Sequence, residues 1–153
     1  LQGSLFAGPV IYTGPVDELF NYACGELPYR SLDLHFESMQ QTEFQPASVV
    51  NYPNEERYTR ITEFKKITGQ KLEGHTTILR EYPMPYNRNM SQEPYYPIEN
   101  SQNHELYEKY ANTSKSIANL YLCGRLAEYK YYNMDNVISV TMDKVNAWLE
   151  NQK

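Results

Sequence analysis

The spacing of apolar residues changes near Asn103, and this change constrains the fold more than any other feature of the sequence. Before Asn103, short stretches of β-branched and aromatic residues are separated by turn-forming residues, whereas after it apolar residues recur every three or four positions. Strands joined by short turns pair in an antiparallel sheet. The sequence therefore predicts an α+β fold, with a mainly antiparallel sheet region in residues 1–101 and a helix–strand–helix in residues 102–153.

The first of these regions contains most of the strand patterns. Leu32, Leu34 and Phe36 alternate with polar residues, which predicts a half-buried strand with these three side chains on its buried face. Asp17 is expected to cap a brief helix. The other predicted strands are residues 10–14, 49–52, 58–67 and 76–82, and residues 83–101 are predicted to form a long loop.

The second region combines two helical patterns with one short strand. A helix is predicted from Asn103, a buried strand over residues 120–123, and a final helix whose apolar stripe runs from Met134 to Leu149. This strand has no predicted parallel neighbour within the chain. A lone strand beside an amphipathic helix usually belongs to a larger α/β layer, so we expect the chain to be part of a larger protein.

Charge and composition exclude several classes of function. Fourteen basic residues against nineteen acidic ones give a net charge of −5, without the basic footprint that nucleic-acid binding requires. Apolar stretches are too short for a membrane-spanning helix, and residues 1–10 lack a secretory pattern, so a cytoplasmic location is expected. Cys24 and Cys123 are expected to be buried thiols rather than a disulfide. The three histidines have no metal-ligand spacing, so no metal is expected.

Arginines and tyrosines recur together in four segments. The chain has fifteen tyrosines, and most of them suit a half-buried sheet. An arginine on a strand most often pairs with a surface carboxylate. Together, however, these residues suit a pyrophosphate, because the planar guanidinium fork matches phosphate oxygens and tyrosine hydroxyls supplement it. The segments are residues 27–32, 50–63, 80–97 and 124–135.

The order of the short motifs resembles that of bacterial UDP-galactopyranose mutases, and the resemblance covers nearly the whole chain. The motifs are YTGPVD (12–17), LPYRSL (27–32), NY (51–52), YTR (58–60), REY (80–82), EPYYP (93–97), and GRL followed by a tyrosine and MD (124–135). The resemblance implies an isomerase that interconverts UDP-galactopyranose and UDP-galactofuranose with reduced FAD as a nucleophilic catalyst and no net redox change. It also implies a nucleotide-sugar substrate, a homodimeric parent protein, and a role in bacterial surface polysaccharides.

The resemblance assigns roles to individual residues. In its substrate-binding set, Arg60 clamps the pyrophosphate and Asn51 lies near the sugar. The implied substrate-binding residues are Arg30, Asn51, Arg60, Tyr96 and Tyr131. The implied catalytic group is Arg60, Glu81, Tyr131 and Asn133. The implied flavin-binding residues are Arg125, Met134 and Asp135, the last two at a helix start where backbone N–H groups favour negative charge.

The chain departs from the family pattern in three respects. Asn133 stands where the family usually has aspartate, and amide replaces carboxylate there. Ala127 stands where many members have glycine. The Gly-x-Gly-x-x-Gly turn that would grip the FAD pyrophosphate is absent from the sequence. The chain is therefore interpreted as a carboxy-terminal portion that is inactive alone and does not hold FAD by itself.

Two alternatives stay open at this point. One is another flavoprotein of the amine-oxidase superfamily, acting on a different substrate. The other is a stand-alone, tyrosine-rich carbohydrate-binding domain. An exposed apolar face beside residues 120–123 would favour a portion of a larger enzyme, whereas a covered face would favour the binding domain.

Overall fold

The computed structural model describes residues 8–150. In chain order its elements are β1 (Val10–Tyr12), α1 (Val16–Leu19), β2 (Tyr29–Met39), β3 (Val49–Asn51), β4 (Arg60–Glu63), α2 (Phe64–Thr68), β5 (Thr76–Pro85), β6 (Tyr96–Pro97), α3 (Ser101–Lys115), β7 (Leu120–Leu122) and α4 (Met134–Glu150). The α+β class is confirmed. Residues 1–7, which make up most of the segment without a secretory pattern, and residues 151–153 lie outside the described part.

The chain forms two compact units. One contains residues 1–29 and 94–153, and the other contains residues 30–93. This grouping differs from the predicted division at residue 101, because the residues that precede β2 pack with the carboxy-terminal helices. The assignment of residues 102–153 to a flavin-binding layer stays a prediction.

The unit of residues 30–93 is built on an antiparallel sheet, as predicted. Its strands lie in the order β3-β4-β5-β2. Asn51 pairs with Arg60, Arg60 pairs with Glu81, and Glu81 pairs with Leu34. Directly paired residues of antiparallel strands lie on the same face. These four residues therefore form one row across one face of the sheet.

The buried face of this sheet is not the one that the sequence predicted. Leu34 and Phe36 lie on the exposed face, with exposed fractions of 37% and 64%. The alternation itself is correct, but the pairing of β4 and β5 places Ile61 and Ile78 on the opposite face, and both are buried there. Alternation fixes which residues share a face, and the neighbouring strands decide which face is covered.

Strand β4 ends earlier than predicted, at the fully buried Glu63. The Glu63 carboxylate accepts N–H bonds from Phe44 at 3.0 Å and Gln45 at 3.1 Å, and a hydroxyl bond from Thr76 at 2.6 Å. The chain then turns into α2, which ends at Gly69 in the left-handed conformation. The predicted strand over residues 58–67 is therefore wrong for its last four residues, since helix α2 replaces it there.

In the other unit, β1 and β7 are parallel partners. Val10 pairs with Leu120, and Tyr12 pairs with Leu122. The prediction that the last strand lacks a parallel neighbour within the chain is therefore wrong. The neighbour lies at the opposite end of the sequence, where local patterning gives no sign of it.

Asp17 is not the helix cap that the sequence predicted. It lies inside α1, where the residue before the helix is Pro15. Its buried carboxylate accepts the Leu27 N–H at 2.8 Å and the Tyr29 hydroxyl at 3.3 Å. Burial is the largest influence on the Asp17 carboxyl and raises its pKa against the lowering effect of these hydrogen bonds.

The two predicted carboxy-terminal helices are confirmed. Helix α3 begins after Asn100, whose side chain accepts the Asn103 N–H at 2.8 Å. Helix α4 keeps its apolar stripe largely exposed, with 59% of both Ile138 and Met142 accessible. No helix within residues 8–150 is long and apolar enough to cross a membrane.

Candidate functional site

An asparagine, an arginine and a glutamate come together on the exposed face of the sheet. Arg60 donates from Nε to Asn51 Oδ1 at 3.0 Å, and its Nη1 lies 3.9 Å from Glu81 Oε2. The Arg60 side chain is 42% exposed, whereas the Glu81 side chain is largely buried. A guanidinium carries five N–H donors, so these two contacts orient Arg60 and leave donors for an external anion. We call Asn51, Arg60 and Glu81 the sheet cluster.

Arg30 lies on the same face of the sheet but away from the sheet cluster. Alternate residues of a strand share a face, so Arg30, Leu32 and Leu34 lie on one face of β2, and Leu34 is the residue paired with Glu81. Arg30 lies four positions before Leu34, a distance of about 13 Å along a strand. Its side chain is exposed. The structure thus places Arg30 beside the row and not within it.

A second arginine contacts two neighbouring tyrosines in the unit of residues 1–29 and 94–153. The Arg125 guanidinium carbon is 5.2 Å from the centre of the Tyr96 ring and 5.0 Å from that of the Tyr131 ring. The two rings are 5.7 Å apart, at 31° to each other. Distances below about 6 Å are typical of cation–π contacts. We call Tyr96, Arg125 and Tyr131 the aromatic cluster.

Backbone bonds fix the segment that carries Arg125. Gly124 has a φ of 90°, and its carbonyl accepts the Glu128 N–H at 2.9 Å. Arg125 donates from Nε to the Tyr132 carbonyl at 2.6 Å. The Glu128 carboxylate accepts the Gly124 N–H at 2.9 Å and pairs with Lys144 of α4. The guanidinium is therefore held against the rings by a compact loop.

Asn133, Met134 and Asp135 mark the start of α4, and all three are exposed. The Asn133 carbonyl accepts the first helical bond, from the Val137 N–H at 3.0 Å. The first N–H groups of a helix lack partners within the helix and carry partial positive charge. This helix start can therefore face an electron-rich or anionic group. The individual roles of these three residues stay predictions.

Glu99 was missed by the sequence analysis. Its carboxylate accepts the Tyr131 N–H at 2.6 Å and lies 3.6 Å from His104 Nε2. It follows the EPYYP motif closely, but no spacing rule points from it to Tyr131, which lies 32 residues further on. Only the fold brings the two together.

The cysteine and histidine side chains of residues 8–150 can be compared with the predictions about thiols and metals. Within that range, no group of three or more His, Cys, Asp or Glu side chains could hold a metal ion. Cys24 and Cys123 are free thiols, and Cys123 is buried. The prediction of two unpaired cysteines is confirmed, whereas the expected burial holds for Cys123 and not for Cys24, which is partly exposed.

Comparison with known proteins identifies the family. The sequence profile described as UDP-galactopyranose mutase matches residues 3–131. That range contains every residue of the sheet cluster and of the aromatic cluster, whereas the start of α4 lies beyond it. The chain belongs to the UDP-galactopyranose mutase family.

Individual sugar-nucleotide mutases align with almost the whole chain. A UDP-galactopyranose mutase from Mycoplasma genitalium is 38% identical over 151 residues, which cover 97% of this chain and 37% of the relative. One from Mycoplasma pneumoniae is 35% identical, covering 93% of this chain and 36% of the relative. A dTDP-fucopyranose mutase from Escherichia coli is 30% identical over 149 residues, which cover 95% of this chain and 38% of the relative. The chain thus spans well under half the length of these relatives.

Proposed function

We propose that this chain is the carboxy-terminal part of a UDP-galactopyranose mutase that interconverts UDP-galactopyranose and UDP-galactofuranose with reduced FAD. The observation that carries the proposal is the sheet cluster, an oriented and accessible arginine within the part of the chain that matches the family. Family membership favours this function over an amine-oxidase-type flavoprotein and over a stand-alone carbohydrate-binding domain. A cytoplasmic location, a bacterial source and a homodimeric parent protein belong to the same proposal.

Arg60 is proposed to hold the substrate's pyrophosphate. The chain carries a net charge of −5, so an anionic ligand gains little from the overall field and depends on local cations. The bond from Arg60 Nε to Asn51 fixes the plane of the guanidinium before the ligand arrives. The remaining donors can then meet two phosphate oxygens at once, which a lysine cannot do.

Tyr96 and Tyr131 are proposed to donate hydroxyl bonds to the diphosphate. The Arg125 guanidinium contacts both rings, and its charge also lowers the cost of placing an anion nearby. The roles of Arg30, Glu81 and Asn133 are proposals carried over from the family resemblance. Arg30 and Asn51 are assigned to the substrate, and Glu81 and Asn133 to the reaction.

The chemistry needs a nucleotide that leaves the sugar and later returns to it. Residues that hold the diphosphate keep it close to the sugar throughout, and such proximity is worth up to about 7–11 kcal/mol at the ideal limit. When bound, reduced FAD would supply the nucleophile for this exchange. By the family resemblance, Arg60, Tyr96 and Tyr131 are each proposed to bind the departing group.

The described residues fit only part of a flavin. Arg125 and the exposed start of α4, with Met134 and Asp135, offer a cation and helix N–H groups. The seven glycines of the chain do not form the Gly-rich turn that holds a dinucleotide pyrophosphate. We propose that the chain contributes one wall of the FAD site and does not retain FAD alone.

An exposed apolar face supports the proposal that the chain is part of a larger enzyme. Beside β7, a largely apolar groove is lined by Pro9, Ile11, Tyr121, Cys123, Lys144, Val145 and Trp148. Ile11 is 54% exposed. Parallel strands are almost always covered on both faces, so further protein is expected over this pair.

A second candidate substrate is dTDP-fucopyranose, because a dTDP-fucopyranose mutase is among the relatives. Both candidates share a nucleoside diphosphate and differ in base and sugar. The full-length protein, chemically reduced, should be incubated with UDP-galactofuranose and, separately, dTDP-fucofuranose, and the pyranose products quantified by chromatography. A higher kcat/KM for the UDP sugar supports the proposal, and a higher value for the dTDP sugar replaces it by the second candidate.

Tyr96→Phe is expected to weaken the binding of UDP to the full-length protein by about tenfold, because a hydrogen bond to a charged group contributes roughly 1.5–3 kcal/mol. Tyr95→Phe, which removes a hydroxyl from the adjacent tyrosine, should leave the affinity unchanged. Isothermal titration calorimetry with UDP measures both variants. A larger effect from Tyr95→Phe would contradict the assignment of Tyr96.

A further inference from the structure

Tyr129 is a fully buried tyrosine in a conformation that L residues rarely adopt. Its φ is 46°, and its exposed fraction is 0%. A bulky residue at positive φ is strained and persists only where its surroundings hold it firmly. The Tyr129 ring packs edge-on against Tyr29 at 5.4 Å and stacks on Tyr107 at 5.9 Å. The fold therefore keeps this ring in place against a backbone preference.

The hydroxyl of Tyr129 joins two distant parts of the chain. It lies 2.6 Å from the Pro28 carbonyl and 3.0 Å from the Ile98 carbonyl, and its single O–H is shared between these two acceptors. Burial raises the pKa of Tyr129 to about 12, so the hydroxyl keeps its proton at neutral pH. The bond to Ile98 crosses 31 residues of sequence.

The bond between Tyr129 and Ile98 joins residues that are close in sequence to the two tyrosines of the aromatic cluster. Ile98 is two residues after Tyr96, and Tyr129 is two residues before Tyr131. A second bond, from the Tyr131 N–H to Glu99, joins the same two segments at 2.6 Å. These bonds therefore connect the two segments whose tyrosine rings lie 5.7 Å apart.

We propose that the Tyr129 hydroxyl is a positioning group that sets the separation of Tyr96 and Tyr131 for the diphosphate of the substrate. The inference rests on the proposed function, in which those two tyrosines bond the diphosphate. Tyr129 itself is buried and acts through the two segments. Two donors placed at a fixed separation match two phosphate oxygens without further ordering of the protein, and this preorganisation increases affinity.

Removal of this hydroxyl leaves no buried carbonyl without a donor. The Ile98 carbonyl also accepts the Asn103 side-chain amide at 2.6 Å. The Pro28 carbonyl also accepts the Ile98 N–H at 3.2 Å. Tyr129→Phe keeps the ring and its packing, so the variant is expected to fold. Its main effect is then a looser connection between the segments of Tyr96 and Tyr131.

Tyr110 provides a matched control. Its exposed fraction is also 0%, and it too lies in the unit of residues 1–29 and 94–153. Its hydroxyl donates to the Gly25 carbonyl at 2.5 Å and accepts the Cys24 N–H at 3.0 Å. Those bonds hold the segment after α1 and do not involve the segments of Tyr96 or Tyr131. Tyr110→Phe therefore removes an equally buried hydroxyl without loosening the aromatic cluster.

The test compares UDP and uridine binding by calorimetry in the full-length protein and in its Tyr129→Phe and Tyr110→Phe variants. Tyr129→Phe is expected to weaken UDP about tenfold and to leave uridine unchanged, because only UDP carries the diphosphate. Tyr110→Phe should change neither affinity. In a Tyr131→Phe background, the further loss of UDP affinity from Tyr129→Phe should be smaller. One of the two diphosphate bonds that Tyr129 is proposed to support is already absent there.

Three results would overturn the inference. These are wild-type UDP affinity in Tyr129→Phe, equal losses for UDP and uridine, and an equal UDP loss in Tyr110→Phe. Failure of the unmodified full-length protein to bind UDP is a different result, because it overturns the proposed function and does so before any variant is compared.

Discussion

Arg60→Ala in the full-length protein is expected to lower kcat/KM for UDP-galactofuranose by about two orders of magnitude or more. The guanidinium is oriented by Asn51 and can make two bonds to the diphosphate. Each hydrogen bond to a charged group contributes roughly 1.5–3 kcal/mol, so the loss of two corresponds to a factor of 10² or larger. Steady-state kinetics with the reduced enzyme, following UDP-galactopyranose, measures the effect.

Two variants show whether this loss belongs to the guanidinium fork. Arg57→Ala removes an exposed arginine three residues before Arg60, so it changes the net charge equally and should leave kcat/KM within about twofold. Arg60→Lys keeps the charge and loses the fork, so its rate should lie between those of the wild type and Arg60→Ala. Equal effects from Arg57→Ala and Arg60→Ala would assign the loss to the general field instead.

Glu63→Ala is expected to destabilise the protein by about 3–5 kcal/mol, the loss typical when a buried charge network loses a partner. The Glu63 carboxylate is fully buried and accepts bonds from the N–H groups of Phe44 and Gln45 and from the Thr76 hydroxyl. Its removal leaves these donors without their acceptor. Urea denaturation measures the free energy of unfolding, and Glu73→Ala, at an exposed loop position, is the control. A loss below about 1 kcal/mol would contradict this account.

The contribution of Glu63 should also depend on pH. Burial raises its pKa, but bonds from Thr76, Phe44 and Gln45, and the nearby Lys66 charge, outweigh burial and lower the pKa overall. A lowered pKa stabilises the fold above the unfolded value of about 4.3, and this contribution is lost as the pH falls through the lower folded value. In Glu63→Gln, the free energy of unfolding should therefore fall less on acidification below about pH 4.3. An unchanged acid dependence would contradict the assignment.

The sequence predicted features that depend on neighbouring residues. Most of the strands, the change to helical periodicity near Asn103, and the final helix follow from local spacing and turn residues, and they are confirmed, whereas residues 64–67 of one predicted strand form helix α2 instead. Features that depend on distant partners were predicted wrongly or missed. The buried face of β2 was reversed because Ile61 and Ile78 decide it from neighbouring strands. The partner of β7 was missed because it lies at the other end of the chain.

In the candidate site, too, the residues themselves were predicted from the sequence, whereas the contacts that depend on distant partners were not. The motifs indicated Arg60 and Asn51, and the pairing of β3 with β4 brings them into contact. The motifs also indicated Tyr96 and Tyr131, but not the buried Tyr129 hydroxyl that links their segments. Nothing in the sequence distinguishes a tyrosine whose hydroxyl contacts a ligand from one whose hydroxyl bonds to another part of the protein. The bond partners become visible only in the fold.

The central claim is tested most directly by turnover of the full-length protein on UDP-galactofuranose, with flavin reduced in one sample and oxidised in the other. We expect the reduced sample to convert the substrate to UDP-galactopyranose and the oxidised sample to convert little or none. No net consumption of reductant is expected, because the flavin is proposed to act as a nucleophile. Absence of conversion by protein that binds FAD and has been fully reduced would contradict the central claim.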